Sequence, residues 1–263
     1  MTTLYQALGL KGSGVISIVG AGGKTSLMFR LAHEISGLDQ SVLTTTTTKI
    51  MMPRRSQSSH VILTTSSRTL IDNAGELLKE SFHISAASPR LPEHQGKIAG
   101  FPVEFIDEIR LSGCFKWILV EADGAAQKPL KAPADHEPVI PGSSNRVVGV
   151  VGLAAIGKPL QADWVFRHER YASITGLSEG MPVTPASVVK AVTHPAGIFK
   201  GCPSRALKIL FLNTAGDNRR LETGRLLAEK LLETKNEHDI GRVVIGSPLE
   251  ESAVAECFEN RSI

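Results

Sequence analysis

The chain has 263 residues, 42% of them hydrophobic and 21% charged, which is enough apolar material for one large globular domain. The net charge of +3 comes from scattered lysines and arginines, and aromatic residues make up only 5%, so composition argues against a nucleic-acid-binding surface built on base stacking. Three cysteines without a CxxC pair argue against a disulfide framework or a zinc cluster, and no signal peptide or apolar run of about 20 residues occurs, so we expect a cytoplasmic protein with no membrane partner.

Strand-like and helix-like patterns alternate along the chain, the order that builds a parallel sheet covered by helices. A buried strand is predicted at 15–19, and the helix that follows it has apolar residues at helical spacing and ends near Gly37. Strands are then predicted at 41–45 and 60–63, and an amphipathic helix at 66–80.

The second half continues the same alternation. No linker or repeat divides the chain, so we expect a single α/β domain over residues 1–263, with a mostly parallel sheet and helices on both faces. The stretch 155–203 has weaker strand character and is predicted to be a helical elaboration of that domain. The remaining predicted elements are strands at 117–120, 147–151, 209–212 and 243–245 and a charged helix at 221–232.

A glycine-rich loop follows the first predicted strand, and its residues are Gly20, Ala21, Gly22, Gly23, Lys24, Thr25 and Ser26. A strand that turns through glycines into a helix presents backbone N–H groups at the positive end of the helix dipole, where a phosphate binds. Lys24 would contact the β- and γ-phosphates, and the Thr25 hydroxyl would ligate Mg²⁺. The loop has the spacing GxxGK[ST], shorter than GxxxxGK[ST], and so resembles the phosphate loop of the Mur-type ATP-dependent ligases. We therefore predict a three-layer P-loop NTPase-like fold that binds ATP or GTP with Mg²⁺.

A run of threonines and a lysine follows the second predicted strand. Thr44 and Thr45 suit the strand itself, whereas Thr48 and Lys49 should project beyond its end at the same edge as the P-loop. There the Thr48 hydroxyl would join the Mg²⁺ ligands, and Lys49 would offset charge that develops on a transferring phosphoryl group. The alternative interpretation is a polar strand end.

Two carboxylates end the apolar strand at 117–120. Glu121 and Asp123 fit the Walker B pattern, in which a carboxylate holds Mg²⁺ directly or through water. One of the two would lie near the metal and the other would orient a nucleophile, and the sequence leaves open which does which.

An asparagine follows the strand at 209–212. The segment resembles the guanine-binding NKxD motif, but Thr214 stands in place of the lysine and Asp217 lies one residue late. Asn213 is therefore a candidate for nucleotide binding through the base, with ATP or GTP left open; the alternative is a polar turn. All four polar clusters follow strand ends, and the ligand crevice of an open α/β sheet lies outside those ends.

A long segment between Glu121 and Gly142, here called the proline loop, shows no regular period and contains four prolines. An ordered loop of this length within a compact domain usually serves a site. The alternative is a surface connection stiffened by proline.

Together, the GAGGKTS loop, the TTTTK turn, the segment VEADGAAQKPLKAPADHEPVIP and the NTAGD turn resemble the YqeC family. Members of that family are described as selenium-dependent molybdenum hydroxylase accessory proteins or selenium cofactor biosynthesis proteins. The likeness runs from about residue 9 to residue 246. It implies a P-loop NTPase-like fold and a role in maturing the cofactor of a molybdenum hydroxylase.

The resemblance also gives the proline loop an expected role. Lys128, Lys131, His136 and Glu137 would lie beside the γ-phosphate and bind a small anionic or cofactor-like second substrate. Histidine is the side chain that ordinarily titrates near neutrality, so His136 is the expected proton shuttle. His168 and Arg170 are further candidates to contact an anionic cofactor.

These features favour an accessory enzyme that uses a magnesium nucleotide for phosphoryl or nucleotidyl transfer or for hydrolysis. Two alternatives remain at this point. One is a nucleotide-switched chaperone that inserts the cofactor into a molybdenum hydroxylase, and the other is a nucleotide-binding protein without turnover.

Overall fold

Short runs of buried aliphatic residues form a nine-stranded sheet in the computed structural model, which describes residues 2–89, 96–233 and 239–260. The strands are β1 (Gly14–Ala21), β2 (Val42–Thr46), β3 (Ile50–Met51), β4 (Val61–Leu63), β5 (His83–Ala87), β6 (Lys97–Ile98), β7 (Trp117–Glu121), β8 (Leu130–Lys131), β9 (Ser144–Gly152), β10 (Val165–Phe166), β11 (Leu207–Asn213), β12 (Ile240–Gly246) and β13 (Val254–Glu259). The helices are α1 (Leu4–Ala7), α2 (Lys24–Ser36), α3 (Ser67–Leu77), α4 (Val103–Ser112), α5 (His168–Thr175), α6 (Pro185–Thr193) and α7 (Leu221–Glu233).

The strand order in the large sheet is β13-β12-β11-β9-β1-β7-β2-β5-β4. All neighbouring strands in it are parallel except β12 and β13, which are antiparallel. The P-loop strand β1 therefore lies between β9 and β7, and β7 ends at Glu121, two residues before Asp123. Parallel pairing brings the carboxyl ends of β1, β2, β7 and β11 to one edge of the sheet.

Successive side chains of the strands point to opposite faces of the sheet, and each face packs into its own hydrophobic core. On one face, Ile16 and Ile18 of β1 pack with residues of α1 and α2. On the other face, Val15 and Val19 belong to a core that also contains residues of α3, α4, α5, α6 and α7. The expected three-layer α/β arrangement, with a mostly parallel sheet and helices on both faces, is confirmed.

Local sequence signals place several element ends. Ser66 caps α3 by accepting a hydrogen bond from the Thr69 amide, and α2 ends at Ser36 immediately before Gly37. The predicted strands correspond to β1, β2, β4, β7, β9, β11 and β12. The sequence patterns do not predict strands β5 and β13 or helix α4. For β5 the reason is that its short run of small residues carries a weak pattern by itself.

The region predicted as a helical elaboration, 155–203, contains α5, α6 and the two-residue strand β10. Strand β10 pairs in parallel with β8 of the proline loop, with Phe166 opposite Lys131. In the described ranges, no helix combines the length and apolar character needed to cross a membrane.

Candidate functional site

The P-loop lies where the sequence predicts it, between the end of β1 and the start of α2. Gly23 occupies the N-cap position of α2 with a φ of 118°, and no side chain caps this helix end. The first-turn amides of a helix have no partner within the helix. This end of α2 therefore presents N–H donors and the positive end of the dipole, which together suit an anion.

Backbone crowding explains the glycine at position 22. Gly22 has a φ of +88°, and a Cβ there would lie 2.6 Å from the Gly152 Cα and from the Pro129 carbonyl oxygen. A side chain would be both strained and sterically blocked. The close approach also shows that the proline loop packs directly on the P-loop.

Lys24 is buried and turned towards the carboxylates of β7. Its Nζ donates to the Gly20 carbonyl oxygen at 2.7 Å and lies 3.1 Å from Asp123 Oδ1 and 3.9 Å from Glu121 Oε1. Its side chain is only 5% exposed, so these carboxylates balance its charge away from bulk water. The ammonium group thus lies between the Gly20 carbonyl oxygen and the carboxylates of Glu121 and Asp123.

Glu121 is the carboxylate that contacts the P-loop hydroxyl. The Thr25 hydroxyl donates to Glu121 Oε2 at 2.7 Å. Burial raises the pKa of Glu121, and the neighbouring Lys24 charge and the Thr25 hydrogen bond oppose that rise.

Asp123 contacts the other side of the P-loop. Its Oδ2 accepts a hydrogen bond from the Gly20 amide at 3.0 Å and lies 3.0 Å from Lys131 Nζ. Its Oδ1 lies 3.1 Å from Lys24 Nζ without the angles of a hydrogen bond, so that contact is an ion pair alone. Asp123 is fully buried and is engaged by the P-loop backbone and two lysines.

Thr25 and Glu121 are the residues at the P-loop that could hold a Mg²⁺ ion. A hydroxyl and a carboxylate supply the oxygen ligands that Mg²⁺ prefers, and here the two oxygens are joined by a hydrogen bond of 2.7 Å. Among the described residues, no three His, Cys, Asp or Glu side chains converge as a metal cluster. A site of two protein oxygens completed by phosphate and water is the arrangement Mg²⁺ commonly takes.

Lys131 and Glu137 of the proline loop are buried and paired. Lys131 Nζ donates to Glu137 Oε2 at 2.7 Å and to the Gly124 carbonyl oxygen at 2.5 Å. Arg167 binds the same carboxylate with two hydrogen bonds of 2.7 and 3.0 Å. Burial alone would raise the pKa of Glu137, but the hydrogen bonds and charges of Arg167 and Lys131 outweigh it and lower that pKa to about 2.

The threonine turn reaches the same edge but makes mainly structural contacts. Thr46 donates its hydroxyl hydrogen to the Glu121 carbonyl oxygen at 2.8 Å, and Thr47 donates to the Val139 carbonyl oxygen at 2.7 Å. The Thr48 hydroxyl lies 3.3 Å from the Thr46 hydroxyl, and Lys49 is exposed. The expected roles of Thr48 at the metal and of Lys49 at the phosphoryl group stay predictions.

Asn213 supports the P-loop. Its Nδ2 donates to the Gly22 carbonyl oxygen at 2.7 Å, and its Oδ1 accepts from the Ala215 amide at 2.8 Å. Both ends of the side-chain amide are therefore bound to backbone. Base recognition by Asn213 stays a prediction.

The remaining predicted side chains are more exposed. His136 is 78% exposed, with Nε2 3.9 Å from Glu137 Oε1, and its proton-shuttle role stays a prediction. Lys128 Nζ lies 3.9 Å from Asp163, and His168 contacts the carboxylate of Glu179 at 3.1 Å.

Two residues of this network had no signal in the sequence. Arg167 lies 30 residues after Glu137 and reaches it because β10 pairs with β8. Thr46 was assigned to the threonine run without a separate role, and its bond to the Glu121 backbone depends on β2 and β7 being neighbours. Both contacts depend on strand neighbours that no local pattern specifies.

Comparison with known proteins identifies relatives of the chain. The family model described as YqeC protein matches residues 16–169. A relative from Escherichia coli (strain K12), described as "Uncharacterized protein YqeC", is 35% identical over 253 residues and covers 94% of this chain and 92% of its own length. Among solved structures, a chain of the MinC:MinD cell division protein complex of Aquifex aeolicus is 14% identical, with a TM-score of 0.39 over 89% of this chain and 81% of that chain.

Proposed function

The chain belongs to the YqeC family, and on that basis and the geometry of its P-loop we propose that it is an accessory enzyme dependent on a magnesium nucleotide. It uses phosphoryl or nucleotidyl transfer, or NTP hydrolysis, to mature the cofactor of a selenium-dependent molybdenum hydroxylase. The observation that carries the nucleotide part is the pairing of Thr25 at the uncapped start of α2 with Glu121 at 2.7 Å. The cofactor-maturation part rests on the family resemblance of the sequence motifs.

The geometry supports a division of roles between the two carboxylates. Glu121 and the Thr25 hydroxyl would hold Mg²⁺, which neutralises phosphate charge and polarises the phosphoryl group. Asp123 would position the P-loop, because it accepts the Gly20 amide hydrogen and lies between two lysines. Lys24 would exchange its contact with Asp123 for the β- and γ-phosphates, a short movement of a flexible side chain.

The proposal has a direct binding test. Calorimetric titration of the protein with ATP and with GTP, each with Mg²⁺, should show that at least one binds, and Lys24→Ala should weaken that binding by about 10-fold or more. Lys79→Ala removes an exposed lysine that pairs with Glu76 and is the matched control, with unchanged affinity. Because Lys24 also balances buried carboxylates, Thr25→Ala is a second variant that removes a P-loop hydroxyl without removing a charge.

Failure of wild-type protein to bind either nucleotide, or full affinity in both P-loop variants, would overturn the proposal. Phosphate transfer or hydrolysis by the isolated protein supports the enzyme. Turnover that is negligible alone and rises only with a hydroxylase client would instead indicate the nucleotide-switched chaperone.

A further inference from the structure

Two cationic side chains, Arg170 and Lys200, contact the proline loop. Arg170, in the first turn of α5, forms a hydrogen bond and ion pair with Asp135. Lys200 Nζ donates to the Ala134 and Asp135 carbonyl oxygens at 2.5 and 3.0 Å. Both cations thus contact the same turn of the chain, and for Lys200 no carboxylate partner within ion-pair distance occurs among the described residues.

The carboxylate of this pair is almost fully exposed. The Asp135 side chain is 90% exposed, whereas Arg170 is only 32% exposed and its Nε is buried without a hydrogen-bond partner in the part of the chain described. Ion pairs with so exposed a partner contribute little to stability. Removing the Asp135 carboxylate would leave donors of a guanidinium facing solvent.

Nearby carboxylates already have other partners. Glu137 is bound by Arg167 and Lys131, and the exposed Glu169 and Glu179 lie within ion-pair distance of His168. Partial burial is the main cause that lowers the pKa of Lys200, and the charge of Arg170 adds to it, as expected for a second cation near by. Two cations grouped beside a single exposed carboxylate favour an added anion.

We propose that Arg170 and Lys200 bind the phosphate group of a second, small-molecule ligand, and that Asp135 occupies this site when the ligand is absent. A guanidinium presents paired N–H donors that match a tetrahedral oxyanion, and an ammonium adds a point charge. The shared chemistry is a phosphate, supplied either as the inorganic ion or as a phosphomonoester.

Buried ion pairs connect the neighbourhood of this site to the P-loop. Asp135 is followed two residues later by Glu137, whose partner Lys131 also contacts Asp123 at the P-loop. The identification of the bound group as the second substrate therefore rests on the proposed function, whereas the existence of the anion site does not.

The test uses the full chain with the P-loop first saturated with a non-hydrolysable ATP or GTP analogue and Mg²⁺. Inorganic phosphate and glycerol phosphate are then titrated separately by calorimetry. Arg170→Gln and Lys200→Gln should each weaken binding of the preferred ligand by about 10-fold, which is the loss of one charge-assisted contact. Asp135→Asn should strengthen binding several-fold, because it removes the competing carboxylate.

Asp72→Asn is the matched control, since Asp72 is an exposed carboxylate paired with Arg68 on α3. It should leave the affinity unchanged. The gain expected from Asp135→Asn cannot arise from poor folding, so it keeps the test decisive if the other variants are unstable. Unchanged or weaker binding in Asp135→Asn, or no phosphate binding to wild-type protein, would overturn the inference.

A parallel titration of phosphate into nucleotide-free Lys24→Ala protein separates the two proposals. If phosphate binds there and responds to Asp135→Asn while no nucleotide binds wild-type protein, the anion site stands and the proposed function fails. If nucleotide binds and phosphate does not, the reverse holds.

Discussion

Asp123 and Lys131 form a fully buried ion pair, with 3.0 Å between Oδ2 and Nζ. Asp123 also contacts Lys24 and the Gly20 amide, and Lys131 also contacts Glu137. The pair therefore joins the P-loop to the proline loop through charges that are shielded from water. A change of charge at the P-loop, next to Asp123, will therefore alter the electrostatic surroundings of Glu137.

Replacing the shared cation should destabilise the fold. Lys131→Met leaves two buried carboxylates, Asp123 and Glu137, each short of one partner, and we expect a loss of about 3 kcal/mol or more in the free energy of unfolding. Urea denaturation followed by circular dichroism measures it. Lys79→Met, at an exposed pair with Glu76, should change stability by less than about 0.5 kcal/mol. Equal effects of the two substitutions would contradict a structural role for the buried pair.

The metal role of Glu121 predicts a selective defect. Glu121→Gln keeps an oxygen that can accept the Thr25 hydrogen bond but removes the charge that Mg²⁺ prefers. The Mg²⁺ concentration needed for half-maximal nucleotide binding should rise by about 10-fold or more, while weak binding without Mg²⁺ persists. Titration calorimetry at graded Mg²⁺ concentrations measures this. Glu104→Gln, at an exposed position of α4, is the control; a normal Mg²⁺ requirement in Glu121→Gln would assign the metal elsewhere.

Alanine substitutions at two glycines distinguish the effect of steric crowding at the P-loop from the effect of backbone strain. Gly22 and Gly12 both have positive φ, at 88° and 73°, but a Cβ at Gly22 meets backbone at 2.6 Å and one at Gly12 meets nothing within 4 Å. We expect Gly12→Ala to cost about 1 kcal/mol and Gly22→Ala roughly 3 kcal/mol, with loss of nucleotide binding in Gly22→Ala alone. Thermal unfolding and nucleotide titration of both variants provide the measurement. Similar costs would mean that the loop relaxes around an added methyl group.

Because His83 is buried, we expect the free energy of unfolding to fall as the pH is lowered. Burial, with a contribution from the His33 charge, lowers the pKa of His83 from 6.5 to about 4. Below pH 6.5 the unfolded chain takes up a proton at His83 that the folded protein does not accept until about pH 4. The contribution of His83 to the free energy of unfolding is therefore complete above pH 6.5 and is lost as the pH falls towards 4.

Between pH 7 and pH 5 this residue should account for a loss of about 2 kcal/mol in the free energy of unfolding. Urea denaturation at the two pH values measures the loss, and His83→Gln, which retains a polar partner for Thr44, should remove that part of it. An unchanged pH dependence in the variant would show that other groups are responsible.

Local chemistry made some features predictable from sequence. The P-loop, its preceding strand and its following helix lie within one short segment, so glycine, lysine and threonine at fixed spacing were sufficient to predict them. Helix α3 was predictable for a similar reason, because Ser66 caps it and apolar residues recur along it. Strand β5 was not, since its pattern is weak until β2 and β4 pair with it on either side.

The sequence by itself determined that an α/β sheet carries a glycine-rich loop between its first strand and the following helix, and that Glu121 and Asp123 come at and just after the end of a buried strand, because these are patterns of neighbouring residues. Only the tertiary structure decided how the two carboxylates are used. Placing β7 beside β1 sets Glu121 against the Thr25 hydroxyl and Asp123 against the Gly20 amide. Pairing of β8 with β10 brings Arg167 to Glu137 and buries Lys131. Such contacts depend on which strands are neighbours and on the cost of burying unpaired charge. The spacing of residues within a short segment of sequence determines neither.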